Sequence, residues 1–188
     1  MAWDTEATRR RLLDAGARQF AERGFAGTTL DAISRDAGVN KERVYQYFGD
    51  KRAFFGAVLT DRLSDLLDDL PVADDGPSGV GAYAGALFDR YQQSPDLPRL
   101  LAWESLELPG VAAAERRAAM CAAGVSCLQQ AMPTADTTRV EHVLLSVVTL
   151  VTGWWTLAHL GGAILTGDTS PSARRARLVA QAEHLAAT

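Results

Sequence analysis

The sequence predicts an all-α protein, with a small N-terminal three-helix head followed by a larger helical bundle. Apolar residues recur at helical spacing along the chain, whereas strand-like alternation never lasts more than a few residues. Alanine and leucine predominate over valine, isoleucine and threonine, which favours helices over sheets. Hydrophobic residues make up 47% and charged residues 22% of the chain, and this balance excludes wholesale disorder.

Capping signals predict four helices in the first 70 residues. Gly24 and Gly38 stand where the first two helices must end, because glycine readily adopts the positive φ that such ends require. The threonine pair at 28–29 and Asn40 are good N-caps for the second and third helices. Gly49 then breaks the chain before the fourth. The predicted helices cover about residues 4–23, 29–38, 40–48 and 51–70.

Residues 71–79 are rich in proline and glycine and are predicted to form a connector. Prolines at or near helix starts then punctuate the rest of the chain. The later helices are predicted over about 80–93, 97–107, 110–131, 135–165 and 172–187. The chain therefore divides into a head over residues 1–50, a connecting helix over 51–70 and a body over 71–188.

The net charge of −4 conceals a difference between the head and the body. Residues 1–56 hold ten Lys and Arg against eight Asp and Glu, whereas the remainder holds nine against fifteen. The only lysines, Lys41 and Lys51, both lie in the positive part. This distribution favours contact of the head alone with a polyanion, although an excess of two charges is also ordinary variation.

Missing patterns exclude several kinds of site. Cys121 and Cys127 are six residues apart, unlike a metal or redox pair, and the three histidines are too widely spaced for a helical metal pair. No serine-nucleophile motif occurs. We therefore predict no metal, no cofactor and no enzymatic activity, while any role of the carboxylates Glu104 and Glu107 stays open. The absence of a signal peptide predicts a cytoplasmic location.

Residues 33–47 carry the spacing of a helix-turn-helix. Two short helices that cross steeply need a small residue at their contact and a glycine in the turn. Ser34 supplies the small residue, and Gly38, four positions later, supplies the turn. The apolar residues that would lock the second helix against the third are Ile33, Ala37, Val39 and Val44. Such a motif typically reads DNA, although ordinary helical hairpins can imitate its spacing.

This segment and its flanks resemble the DNA-binding head of the TetR family. The residues that carry the resemblance are Gly24, Phe25, Ala26, Gly27, Thr28, Thr29, Leu30, Ile33, Ala37, Gly38, Val39, Asn40, Lys41, Tyr45, Gln46, Tyr47, Phe48, Lys51 and Phe54. The likeness covers roughly residues 8–56 and is looser beyond, apart from a segment at 100–104 that some members share. It implies a dimeric, usually repressing transcription factor whose C-terminal helices bind a small effector.

The predicted third helix presents one side outward, because Val44 must point inward. Arg43 and Gln46 are the predicted base-reading residues, since Arg can bind guanine and Gln can bind adenine in the major groove. Phosphate contacts are predicted for Thr29, Lys41, Tyr45, Tyr47 and Lys51. The whole predicted DNA interface comprises Thr29, Asn40, Lys41, Glu42, Arg43, Tyr45, Gln46, Tyr47 and Lys51.

Glu42 and Arg43 depart from the TetR pattern, which commonly has a small residue followed by Ser or Thr. A carboxylate that faces DNA is unfavourable unless it accepts from cytosine N4 or pairs with Arg43. The alternative interpretation is a solvated helix face that carries an adjacent charge pair. These two residues leave the operator sequence unpredicted.

The body is predicted to pair two copies and to bind an effector. TetR-like proteins commonly dimerise through their last two long helices, here 135–165 and 172–187, and one helix-turn-helix alone makes too few contacts for strong specificity. The predicted pairing residues are Val140, Val143, Leu144, Val147, Val151, Trp154 and Leu157, facing Leu178, Ala182 and Leu185. The resemblance further implies an apolar or aromatic effector. The large side chains that could line its pocket, or be plain core, are Tyr83, Phe88, Tyr91, Trp103, Trp154, Trp155 and His159.

We therefore predict a cytoplasmic, homodimeric regulator that binds a palindromic operator and is released by a small-molecule effector. The head is its helix-turn-helix DNA-binding domain, and residues 71–188 form its effector-binding and dimerisation domain. The alternatives are a constitutive DNA-binding regulator without an effector, and a helical enzyme or ligand carrier. Residues 143–165 contain no Asp, Glu, Lys or Arg and are long enough for a membrane span, but their Ser, Thr and Gly content favours a buried helix. The effector, the operator, the regulated genes and the sense of regulation are not predicted.

Overall fold

The computed structural model describes residues 2–67, 70 and 75–187, and these residues form ten α-helices and no β-strand. The prediction of an all-α protein is confirmed. In chain order the helices are α1 Ala2–Gly27, α2 Leu30–Ala37, α3 Lys41–Phe48, α4 Lys51–Leu67, α5 Pro77–Gln93, α6 Asp96–Glu107, α7 Ala114–Ala131, α8 Thr137–Thr156, α9 Ala158–Ile164 and α10 Pro171–Ala187. Residues 71–74 of the predicted connector lie outside the described residues.

The helices pack as two compact units. The first comprises Met1–Asp65 and Asp96–Arg117, and the second comprises Leu66–Pro95 and Ala118–Thr188. Helix α6 therefore packs with the head, although the sequence places it in the body. The functional division at residues 50 and 70 stays a prediction.

An aromatic core holds α1 and α4 together in the first unit. The Phe20 ring meets the Phe55 ring edge-on at 4.9 Å between centroids and the Phe54 ring at 5.9 Å. Gly16 leaves room for this approach, since a Cβ there would lie 2.8 Å from Phe54 Cζ. Outside the core, the Arg62 guanidinium donates to the Asp14 carboxylate at 2.6 Å.

The glycines and capping residues predicted for the first three helices act where the sequence places them, although α1 continues to Gly27 beyond the predicted end at 23. Gly24 interrupts α1 at φ 75° and ψ 177°, a region open to glycine alone. The Thr29 side chain accepts from the Ala32 backbone N–H at 3.2 Å and caps α2, which ends at Gly38 with φ 62° and ψ 36°. The sequence missed the cap of α4, where the Asp50 carboxylate accepts from the Ala53 N–H at 2.8 Å.

Three other predicted boundaries are wrong. Helix α5 begins at Pro77 rather than at 80, so residues 77–79 of the predicted connector are helical. Helix α4 is described as far as Leu67, and Leu70 is not helical, so the predicted end at residue 70 lies too far along the chain. Helix α7 begins at Ala114 rather than at 110, because the preceding turn is held by Glu104. That buried carboxylate accepts from the Ala112 N–H at 2.8 Å and pairs with Arg117 at 3.0 Å.

In the second unit, α5, α8 and α10 pack against one another. Glycines on α5 let α10 come close, since a Cβ at Gly81 would lie 2.6 Å from Glu183 Cγ. A Cβ at Gly85 would lie 2.8 Å from the Arg175 guanidinium. That guanidinium also donates to both oxygens of Asp89, at 2.8 and 2.9 Å, so an ion pair fixes the same contact between α5 and α10.

The predicted single helix over 135–165 is wrong, because the chain bends by 88° between α8 and α9. Leu157 sits at the break with φ −113° and ψ 29°. In the preceding turns the hydroxyls of Thr149, Thr152 and Thr156 donate to carbonyls four residues back, a bond that weakens and bends helices. Over the described ranges, no single helix is long and apolar enough to span a membrane, and only the bent pair α8 and α9 together would pass by length and composition.

Candidate nucleic-acid interface

Helices α2 and α3 form the predicted helix-turn-helix. The buried Ser34 hydroxyl donates to the Leu30 carbonyl at 2.7 Å. This hydrogen bond satisfies the hydroxyl group where α2 and α3 cross. The Val39 N–H then donates to the Ser34 carbonyl at 2.9 Å and closes the turn at Gly38. Ile33 and Val44 are fully buried between the helices. The geometry that the spacing predicts is present.

One residue of α3, Val44, is buried, and this fixes the orientation of the helix. The side chains exposed on its outer side are those of Glu42, Arg43, Tyr45 and Gln46. Tyr45 keeps 49% of its surface accessible, which is unusual for an aromatic residue in a folded protein. Asn40 is also exposed, and its amide oxygen caps α3 by accepting from the Glu42 N–H at 3.2 Å.

Two cations of the predicted interface are held by neighbours within the head. Lys41 Nζ lies 2.9 Å from Asp31 Oδ1, and its hydrogen bond to that carboxylate raises the pKa of Lys41. The Arg43 guanidinium donates to the Tyr47 hydroxyl at 3.3 Å, and within the described residues it makes no ion pair with Glu42. Asp31 stands ten residues before Lys41, and the sequence indicates only that it favours a helix start.

Lys51, at the first turn of α4, is half-buried. Its Nζ lies 4.5 Å from the centroid of the Phe25 ring, as a cation–π contact requires. Burial lowers the pKa of Lys51, and the charge of Glu107 partly opposes this effect. Thr29, at the start of α2, is exposed on the same unit. Both predicted phosphate ligands thus stand at the N-terminal ends of helices, where backbone N–H groups favour anions.

Comparison with known proteins identifies the family of this fold. A family model for bacterial regulatory proteins of the tetR family matches residues 12–58, and a model for the tetracyclin repressor-like C-terminal domain matches residues 79–184. The chain belongs to the TetR family. Both matched families are regulators rather than enzymes.

Individual relatives agree with this assignment. The HTH-type transcriptional repressor SCO4008 of Streptomyces coelicolor is 37% identical over 106 residues, which are 56% of this chain and 54% of the relative. The HTH-type transcriptional regulator SrpR of Pseudomonas putida is 32% identical over 58% of this chain and 53% of its own. The alignments therefore span about half the length of these two relatives.

A solved structure extends the similarity to nearly the whole chain. The crystal structure of SCO4942 from Streptomyces coelicolor is 32% identical. It superimposes with a TM-score of 0.74 over 95% of this chain and 97% of its own. The predicted TetR resemblance is confirmed over the head and the body.

The residues predicted to line an effector pocket do not form one group. Tyr83, Phe88 and Tyr91 are buried, and the Trp155 ring lies 5.0 Å from Phe88 and 5.7 Å from Tyr91 between centroids. Trp103 belongs to the first unit, where its indole N–H donates to a backbone carbonyl of α1.

Trp154 and Trp155 also line an open cleft of about 680 Å³ within the second unit. The cleft lies along the bend between α8 and α9. Its other lining residues are mostly apolar or small, apart from the Arg174 guanidinium, which stacks on Trp154 at 5.6 Å. His159 is exposed on α9 and does not line this cleft.

The predicted pairing residues need a correction. Six of them are buried inside a single chain, where α5, α8 and α10 meet, so a partner cannot reach them. These core residues are Val140, Val143, Val147, Val151, Leu178 and Ala182. Leu144 and Leu185 are half-buried, and Leu157 is exposed but lies at the end of α8 and not on one continuous stripe. The sequence stripe correctly marks a buried helix face, but that face is the core of the protomer.

The ion pair between Lys41 and Asp31 predicts a gain of DNA affinity on Asp31→Asn. The amide removes a negative charge beside the predicted phosphate ligand and frees the Lys41 ammonium, so duplexes of any sequence should bind more tightly. Fluorescence anisotropy with labelled duplexes at several salt concentrations measures the effect.

Asp36→Asn is the matched control, since Asp36 lies on the same helix and pairs with Arg18 at 3.2 Å on the side of α1. We expect a smaller gain from this control. Equal gains from the two variants would show that net charge alone is responsible and that Lys41 is not a phosphate ligand.

Proposed function

We propose that this chain is a DNA-binding transcriptional regulator that reads its operator with α3. The observation that carries the proposal is the outward edge of α3, where four polar or aromatic side chains are exposed around the single buried Val44. Membership of the TetR family supports the same role. Binding to a bacterial operator requires a cytoplasmic location.

Arg43 and Gln46 are the proposed base-reading residues. Both side chains are exposed, and the Arg43 guanidinium is oriented by a single hydrogen bond from within α3, to the Tyr47 hydroxyl. A planar guanidinium that faces the major groove can donate to guanine O6 and N7 together. Lys41, Tyr45, Tyr47, Thr29 and Lys51 are the proposed phosphate ligands, which hold the register of the helix.

Arg43→Ala tests the assignment of base reading. We expect it to weaken binding to an operator selected from a random-sequence library by about 1–3 kcal/mol and to relax the preference at one base position. Binding to random duplexes should change much less, as measured by competition anisotropy. Lys51→Ala is the comparison, since loss of a phosphate ligand should weaken all sequences alike and lower the salt slope by about 1. Equal losses on operator and random DNA would remove Arg43 from the base-reading residues.

The regulator is proposed to act as a homodimer on a palindromic operator. Two copies of α3 would then enter successive major grooves about 34 Å apart. The surface proposed for pairing is the exposed apolar side of α8 and α9. Its members are Leu145, Leu157, Leu160, Ile164 and Leu165, which are 63%, 56%, 53%, 66% and 44% exposed. Leu157, Leu160, Ile164 and Leu165 line the same cleft, and exposed apolar residues that cluster in this way are typical of a protein interface.

Leu160→Glu combined with Ile164→Glu should convert a dimer into a monomer. Carboxylates at these positions would be buried without partners in the pair, which is strongly unfavourable. Size-exclusion chromatography with light scattering measures the mass. Leu106→Glu is the control, because Leu106 is 77% exposed on α6, outside this surface. A monomeric wild-type protein, or a double variant that stays dimeric, would contradict the assignment.

The effector is proposed to be an apolar or aromatic compound that binds the second unit and favours a state unable to bind the operator. The aromatic side chains of Phe88, Tyr91 and Trp155 meet there. Burial raises the pKa of Tyr83 to about 12, which indicates that this part of the unit disfavours a charged group. Such surroundings favour uncharged ligands. We expect aromatic compounds to release the operator in anisotropy assays, and release by polyanions alone would contradict this part of the proposal.

A further inference from the structure

Helix α6 carries three polar side chains in one row, and each bonds to the backbone of α1. Arg99, Trp103 and Glu107 are spaced four residues apart, which places them on one face of α6. Arg99 Nε donates to the Ala21 carbonyl at 2.9 Å, and Trp103 Nε1 donates to the same oxygen at 3.3 Å. The Ala26 N–H donates to Glu107 Oε2 at 2.8 Å. We call these three side chains the α6 row.

The α6 row makes hydrogen bonds to the backbone of α1 on both sides of Gly24, where α1 is interrupted. Backbone groups in the last turn of a helix lack partners within the helix, and Ala21 lies in the turn before Gly24. Gly24 has no side chain to keep α6 away, since a Cβ there would lie 3.0 Å from Glu107 Oε1 and 3.1 Å from Trp103 Cδ2. The break in α1 and the α6 row therefore fit each other.

The segment of α1 that the α6 row binds leads directly into the proposed DNA-binding surface. From Ala26 the chain needs three residues to reach Thr29, the N-cap of α2 and a proposed phosphate ligand. Between them, the Thr28 hydroxyl donates to the Gly24 carbonyl at 2.7 Å and ties the segment back to α1. Glu107 also acts electrostatically on Lys51, whose ammonium lies over Phe25 in the same segment. The junction thus carries the backbone of one proposed phosphate ligand and contacts another.

We propose that the α6 row is a positioning element for DNA binding, with Glu107 as its decisive member. Its hydrogen bond with the Ala26 N–H fixes the junction between α1 and α2. Thr29 and the start of α2 are thereby held in the position that DNA binding requires. Glu107 touches no DNA and acts through the junction. This inference rests on the proposed DNA binding, and it extends that function to residues far from the helix-turn-helix in sequence.

The sign of the effect distinguishes this role from a purely electrostatic one. DNA is a polyanion, so removal of a carboxylate from a DNA-binding unit should tighten binding when charge alone matters. Loss of a positioning carboxylate has the opposite effect. Glu107 is not itself a phosphate ligand, and Thr29, the phosphate ligand that it positions, carries no charge. The number of cationic contacts with DNA is therefore unchanged, and the slope of affinity against salt concentration should stay that of the wild type.

Glu107→Ala is the central test, with anisotropy on a labelled duplex selected by the wild-type protein. We expect about tenfold weaker binding, the size of effect that follows from loss of a hydrogen bond to a charged acceptor. Glu107→Gln keeps an oxygen that can accept from the Ala26 N–H and should restore most of the affinity. Glu22→Ala is the matched control, since Glu22 has the same charge in the same unit and pairs with Arg23 instead. It should bind as tightly as the wild type or slightly more tightly.

A second variant and a second measurement guard against simple unfolding. Trp103→Phe keeps the aromatic packing and the net charge but removes the indole donor, so it should weaken DNA binding severalfold with an unchanged salt slope. Hydrogen exchange read by NMR should show faster exchange of the Ala26 amide in Glu107→Ala and unchanged exchange in α5 and α10.

The possible results separate this inference from the proposed function. A wild-type protein that binds no duplex would overturn both. A Glu107→Ala variant that binds as tightly as the wild type, or more tightly, would overturn the positioning role alone. Failure of Glu107→Gln to restore affinity, or a loss no larger than the loss of folded protein measured by circular dichroism, would also overturn it.

Discussion

The head depends on how the backbone is satisfied where α1 is interrupted. A helix that stops inside a packed unit leaves carbonyl groups without partners, and buried unpaired groups are costly. Here the carbonyls of Gln19, Ala21 and Gly24 all receive donors from side chains, namely Thr28, Arg99 and Trp103. The chain can therefore turn sharply at Gly24, and this turn sets the position of α2 within the head. The position of α3 follows, because α2 and α3 share the core residues Ile33 and Val44.

Three of the proposed DNA-contacting side chains already have partners before any DNA is bound. Lys41 pairs with Asp31, Arg43 bonds to Tyr47, and the Lys51 ammonium lies over the Phe25 ring. The contacts of Lys41 and Arg43 lie at exposed sites and are weak enough to be exchanged for a phosphate or a base edge. Such engagement limits the conformational freedom that long cationic side chains would lose on binding, and it adds a modest cost for the exchange.

Local signals in the sequence predicted the head well. The caps at Thr29 and Asn40, the turn at Gly38 and the inward Val44 depend on nearest neighbours in the chain, and all are present in the structure. The roles of the exposed residues of α3 stay predictions, since exposure alone does not identify what they touch. The contacts of Asp31 and Glu107 were not predicted, because their partners lie 10 and 81 residues away and no local pattern encodes such contacts.

In the body, the apolar periodicity of α8 identified a buried face but not the helices that cover it. The valine row of α8 has the same spacing whether it meets α5 and α10 of its own chain or a second copy, and the structure shows the former. The bend at Leu157 was also misjudged. The threonines and glycines around it dilute the apolar run, and the sequence interpretation counted them against a membrane span but not against a continuous helix.

The order of segments along the chain has a consequence for protein engineering. The compact unit that holds the helix-turn-helix is completed by Asp96–Arg117, which follows about thirty residues of the other unit. A hybrid regulator that took only the first 65 residues from this protein would lack its α6. The carbonyl of Ala21 and the amide of Ala26 would then lose their side-chain partners unless the other protein supplied equivalent ones. Transplanting the recognition module therefore means moving two separate stretches of the gene together.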